Sequence, residues 1–142
     1  MVQAGRGRDS ETRNPQPATR NPQERRVGIE SEAVVELAAA AAAGVKPTHM
    51  VILDLRGICA FTDRFLIVSA ETDRQVQAIA DRVIERLAAE RVPMRHREGY
   101  PHGHWILLDY HDVIVHIFTD SLRRYYDLER LWADAPRRQV AG

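Results

Sequence analysis

Residues 107–118, LLDYHDVIVHIF, set two aspartates and two histidines into an otherwise apolar run: Asp109, His111, Asp112 and His116. Carboxylates and imidazoles this close are the raw material of a divalent-metal site or an acid/base pair. The same letters also spell a hairpin. WILLDY (105–110) and VIVHIF (113–118) are two strong strand patterns separated by about two residues. His and Asp tolerate positive φ better than most residues, and an Asp at a turn accepts hydrogen bonds from backbone N–H groups just beyond it. The turn reading is the stronger. Two-metal phosphoryl or nucleotidyl transfer needs carboxylates converging on ions about 4 Å apart. A strand supplies them as D-x-D, because residues i and i+2 share a face. The first strand offers Asp54-Leu55-Arg56 instead, and an arginine there repels a cation. No Walker-type phosphate loop and no G-x-S-x-G nucleophile elbow occurs. His102-Gly103-His104, with His96 nearby, lacks a third zinc ligand at a telling spacing. Cys59 is the only cysteine, so no internal disulfide exists; beside a turn and far from any paired His it reads as a packed thiol. No catalytic residue, metal or cofactor is assigned.

Binding chemistry is better represented. Both tryptophans and all four tyrosines follow residue 99. Trp105 opens a strand, where its indole N–H needs a partner or water. Tyr125 and Tyr126 are adjacent on a helix, about 100° apart, so they cannot both face one core. Trp, Tyr and Arg are the types enriched at binding hot spots. Trp105, Arg123, Arg124 and Tyr126 therefore form a candidate protein-binding patch, with ordinary amphipathic packing as the equal alternative.

These side chains need elements to hold them. SEAVVELAAAAAAG (31–44) has high helix propensity and stops at Gly44, with Pro47 beyond. Its apolar face is thin and suits close packing on a flat surface. HMVILDL (49–55) and FLIVSA (65–70) read as buried strands. Thr72 with Gln75 forms a capping box that opens a helix whose face carries Val76, Ile79, Ala80, Val83, Ile84 and Leu87, ended by Pro93. MRHRE (94–98) reads as a charged edge strand. The hairpin follows, and Asp120 or Ser121 caps a last helix, LRRYYDLERLW, with Leu122, Tyr125, Leu128, Leu131 and Trp132 on one side. The order αββαβββα predicts a mixed five-stranded sheet flanked by helices, α/β in class and bordering on α+β.

The chain has 142 residues, enough for one ordinary domain. Residues 1–29, polar and rich in Arg, Pro, Gln and Asn, read as a disordered N-terminal tail; residues 30–133 as the domain; residues 134–142 as a flexible C-terminal tail. The net charge of zero hides a division. Residues 1–29 carry six Arg against Asp9, Glu11 and Glu24, while residues 30–132 carry twelve basic and sixteen acidic side chains. An acidic domain is poorly suited to gripping phosphates and better suited to a basic protein partner. No run approaches the roughly 20 apolar residues of a membrane span, and no secretory signal is evident, so a cytoplasmic location is expected.

Asp54, TDRFLIV (62–68), RQVQAIAD (74–81), WILLDYHDVIVHIF (105–118) and RRYYDLERLW (123–132) together resemble the ribosomal silencing factor family, also called iojap-like. The resemblance runs from about residue 30 to 132. It implies a nucleotidyltransferase-like sheet without a working catalytic site. It also implies binding to large-subunit ribosomal protein fourteen, on the face that meets the small subunit. Subunit joining is then blocked and translation lowered when nutrients are scarce. Organellar relatives act in large-subunit assembly, which is an alternative role for the same surface, and homodimers occur in the family. No sequence-specific nucleic-acid contact is implied. The family's motif positions fall on Trp105, Asp109, Asp112 and Tyr126, which with Arg123 and Arg124 make the expected partner surface. The chain departs from the family in three places: His111 replaces a usual Gly, Ala70-Glu71 a usual small pair, and Arg64 a usual aliphatic or aromatic residue.

Overall fold

The computed structural model describes residues 30–126, Arg130 and residues 133–140, and it leaves the side chains of Tyr125 and Tyr126 undescribed. The expected tail at 1–29 lies outside the described residues, as do Leu128, Leu131 and Trp132. From Ser31 the chain forms one compact unit. In order it runs α1 (Ser31–Ala43), β1 (His49–Asp54), β2 (Arg64–Ala70), α2 (Asp73–Ala89), β3 (His96–Glu98), β4 (Trp105–Asp109), β5 (Val113–Thr119), α3 (Asp120–Tyr126) and β6 (Arg137–Gln139).

The sheet has six strands in the order β3-β4-β5-β2-β1-β6. Only β2 and β5 run parallel; every other neighbouring pair is antiparallel. The two parallel strands are central and buried along their whole length, which is why their sequences are nearly unbroken apolar runs. Both edges are charged, His96-Arg97-Glu98 on one side and Arg137-Arg138-Gln139 on the other, and this discourages edge-to-edge pairing.

Alternation along the strands divides the core in two. One face carries Met50, Ile52, Leu66, Val68, Ile106, Leu108, Val115 and Ile117. It packs α1 and α2, and Arg64 of the same face reaches the Ser31 hydroxyl of α1. The alanines of α1 (Ala38, Ala39 and Ala42 are all buried) allow the close approach its thin face demands. Thr72 caps α2, its hydroxyl accepting the Gln75 N–H at 3.1 Å. The other face gathers Val51, Leu53, Leu55, Phe65, Ile67, Ile114, Phe118 and Ala135, with Cys59, Trp105, Leu107 and Leu122 partly buried against it. Each fully buried Leu, Ile or Phe contributes roughly 2 kcal/mol.

The expected five strands become six, and residues 137–139, placed in the C-terminal tail by sequence, are the sixth. β6 pairs Leu53 with Arg137 and Val51 with Gln139. Asp54 N–H donates to Pro136 O at 2.8 Å and Val140 N–H to Met50 O at 2.9 Å, while Ala135 is buried. Arg138 also pairs with Glu36 of α1. A strand held by main-chain bonds and charged tips leaves no apolar alternation to read.

Candidate functional site

The β4–β5 hairpin is built around its turn. His111 adopts φ +76°, the left-handed conformation that a usual glycine takes without strain. Asp109 makes this tolerable: its Oδ1 accepts the His111 N–H at 2.8 Å. Tyr110 N–H donates to Val113 O at 2.9 Å and closes the turn. Arg95, entering β3, meets the His111 ring at 2.8 Å. Asp112 supplies its carbonyl oxygen to the N–H groups of Asp63 and Arg64, tying the hairpin to the start of β2. Asp109 and Asp112 thus shape a turn.

At the other end of the hairpin stands Trp105, partly buried. Its ring meets Phe118 edge-on at 5.4 Å between centroids. Its indole N–H donates to His116 Nδ1 at 3.3 Å, which answers the partner it needed. His116 is buried, with Phe65 edge-on at 4.7 Å. Accepting at Nδ1 makes it the neutral Nε2–H form, and burial pushes its pKa down to about 4. Gly99 and Gly103, both at positive φ, frame the approach to β4. At Gly99, φ +80°, a Cβ would sit 2.0 Å from Trp105 O, so only hydrogen fits.

The metal reading finds no support in this geometry. His116 faces the aromatic cluster, away from the turn that uses Asp109 and Asp112. His96 pairs with Glu98 at 2.7 Å, His104 with Asp73 at 2.9 Å, and His102 stacks on His104. Among the described residues, no three His, Cys, Asp or Glu side chains are grouped to hold an ion. Just past the end of β1, the Arg56 guanidinium holds both carboxylate oxygens of Asp54, Nε donating to Oδ1 at 2.9 Å and NH2 to Oδ2 at 2.7 Å. The guanidinium holds the Asp54 carboxyl down at about 2. Buried Arg64 adds a second cation at 3.8 Å. Arg56, Arg64, Arg137 and Arg138 line a cleft of about 230 Å³ beside α1, together with the acids Glu32, Glu36 and Asp54.

The six residues expected at the partner surface fall into two groups. Trp105 and Asp109 share one face of β4 but lie about 13 Å apart along it. Partly buried Leu107 stands between them. Arg123, partly buried, and Arg124, exposed, are on α3 at the Trp105 end. Tyr126 closes α3, and its side chain is outside the described residues. Asp109 and Asp112 occupy the turn end. Trp105, Asp109 and Asp112 therefore lie along a strip of the hairpin. Sequence reasoning missed exposed Ile58, Phe61 and Met94 at the turn end. Ile58 and Phe61 gave only the signal of large apolar letters in a stretch with no helical or strand period, and Met94 opened the expected edge strand, which begins at His96.

The residues that stood out are carried by a mixed-sheet α+β domain along the β4–β5 hairpin, and the D-x-D-like position at the end of β1 is closed by arginine. The family follows from comparison. A model of the family "Ribosomal silencing factor during starvation" matches residues 29–142. "Ribosomal silencing factor RsfS" of Bacillus subtilis is 36% identical over 108 residues, covering 76% of this chain and 92% of that protein. "Protein Iojap, chloroplastic" of Zea mays is 31% identical over 97 residues, covering 68% of this chain and 42% of that one. A crystal structure of a Chromobacterium violaceum protein superposes with TM-score 0.72 at 31% identity, covering 74% of this chain and 88% of that chain. The chain belongs to the ribosomal silencing factor family.

Proposed function

We propose that the chain represses translation by docking on the large ribosomal subunit, through ribosomal protein fourteen, and holding it apart from the small subunit. Family membership supports the regulatory role and the ribosome as target. The observation that carries the surface is the half-open strip Trp105–Leu107–Asp109 on one face of β4, ending at the Asp112 turn. The mechanism is steric. A domain of about 105 residues has a radius of gyration near 13 Å, large against any subunit contact it covers. A patch of about 800 Å² on each partner, with an aromatic centre, suffices. No group transfer is required, and Asp54, clamped by Arg56, is poorly placed to hold a metal ion. The acidic surplus of residues 30–132 suits a basic ribosomal protein and makes association salt-sensitive.

Sedimentation of separated subunits tests this. Purified protein in several-fold excess shrinks the joined-ribosome peak and travels with the large subunit; an unchanged peak refutes the proposal. Trp105→Ala weakens the effect by more than about 1 kcal/mol of binding energy. A folded Trp105→Ala protein that binds like the wild type moves the contact elsewhere on the domain.

A further inference from the structure

Three large apolar side chains stand in solvent among the described residues: Phe61 (63% exposed), Ile58 (45%) and Met94 (36%). All three lie at one end of the sheet, where β1 and β4 end and β2, β3 and β5 begin. Met94 precedes Arg95, whose N–H donates to Asp109 O at 2.8 Å. Ile58 and Phe61 belong to the loop between β1 and β2, and that loop is well tied. Leu55 N–H donates to Asp63 O at 2.7 Å, closing its base. Ile58 and Cys59 N–H groups both donate to Leu55 O, at 3.0 and 2.9 Å. Cys59 packs toward the core and Thr62 is buried. With those two turned inward, Ile58 and Phe61 are held outward. Side chains of this size, displayed on an ordered loop, lose little freedom when a partner covers them.

The surrounding charge selects the partner. Around the loop stand four carboxylates, Asp54, Asp63, Asp109 and Asp112. Asp54 is taken up by Arg56 and buried Arg64, with Arg137 and Arg138 in the cleft beside it, so that around the loop Asp63, Asp109 and Asp112 outnumber the exposed Arg95. A nucleic acid or an anionic membrane would bring more negative charge, and a second copy meeting at this end would bring the same acids. We infer that Ile58 and Phe61 are apolar anchors of the ribosome-docking surface, seated in a basic, apolar-pocketed protein face of the large subunit beside Asp63, Asp109 and Asp112. This rests on the docking function proposed above and moves its energetic centre to the turn end.

Pelleting titrations of the full chain with isolated large subunits, at low and high salt, decide it. Ile58→Ser/Phe61→Ser weakens binding about ten-fold, as loss of a hot spot does, and the loss persists at high salt. Asp109→Asn/Asp112→Asn also weakens binding, but its deficit shrinks as salt rises. The serine variant keeps its circular dichroism and melting temperature, because both side chains are exposed. Serine-variant binding within about two-fold of wild type overturns the inference, being too small for a hot spot. So does a dimer that dissociates in the serine variant while subunit binding is unchanged, which makes the loop a self-association face. Wild type that fails to pellet with large subunits removes the docking function itself, and the inference with it; wild type that pellets separates the two failures.

Discussion

The two ends of the β4–β5 hairpin use the same residue types for opposite purposes. At the β4 start, the aromatics are drawn inward. Trp105 packs edge-on against Phe118 and gives its indole hydrogen to buried His116, and Gly99 lets the main chain pass against Trp105 O. At the turn, the main chain is tied by local bonds, and Ile58 and Phe61 of the neighbouring β1–β2 loop face water. Asp109 holds the His111 N–H, Asp112 O holds Asp63 and Arg64, and Phe61 stands exposed. The difference teaches that type alone does not say how much of an aromatic ring is left for a partner: Trp105 stays only partly exposed, whereas Phe61 is largely exposed. What sets that share is whether neighbours supply a hydrogen-bond partner and a packing surface.

A matched pair of glycine substitutions should break this comparison if it is wrong. Gly99 and Gly57 both have φ near +80°, so alanine strains the backbone at each. At Gly99 the new Cβ also strikes Trp105 O, whereas at Gly57 nothing lies within 4 Å. Gly99→Ala should cost more than about 4 kcal/mol of folding stability, from strain plus an unrelievable main-chain clash. Gly57→Ala should cost only about 1–2 kcal/mol, the left-handed penalty alone. Urea titrations of the two variants read the difference directly, and equal losses would mean that the β4 start is no tighter than the loop.

Acid should next find the packed end. His116 has a folded pKa lowered to about 4 from an ordinary 6.5, because burial disfavours the charged ring. The unfolded chain therefore binds a proton first as pH falls. The stability tied to neutral His116 is complete above pH 6.5, drains between 6.5 and 4, and is gone below that, a swing on the order of 3 kcal/mol at most. His116→Gln keeps an acceptor for the Trp105 indole and removes the titration. Its stability should be flatter than wild type across that window in urea unfolding at a series of pH values. Parallel curves would place the acid sensitivity elsewhere.

Much of the architecture was legible because it rests on periodicity. The helices α1 and α2, and the strands β1, β2, β4 and β5, announce themselves by spacing. The Thr72 cap and the Asp109–His111 turn were legible too, since both are local chemistry within three residues. β6 was not, because a strand defined by main-chain pairing to β1 carries no side-chain signature. The burial of Arg64 was not, because it depends on Ser31 and Asp54 arriving from distant elements. The proposed partner surface was half legible: Trp105 and Asp109 stood out by type, while Ile58 and Phe61 did not. Which apolar residue of a loop turns inward is decided by Leu55, Cys59 and Thr62 in three dimensions.

The smallest expected effect sharpens the comparison from the turn end. Asp54 and Arg56 form an ion pair with Arg56 largely exposed, so Arg56→Gln should change stability by less than about 1 kcal/mol. Its informative consequence is electrostatic. The side-chain bond to Arg56 is the largest cause of the low Asp54 pKa, and without it the carboxyl should titrate higher. Carboxyl-detected NMR follows that titration. Adding Mn²⁺ to the same variant then asks whether the guanidinium was hiding a metal site. With Arg64 3.8 Å from Asp54, and no second carboxylate on the next residue but one, the Asp54 signals should broaden no more than those of other surface carboxyls. Selective broadening at Asp54 would show that the turn end retains cation chemistry, and that its acids do more than frame Ile58 and Phe61.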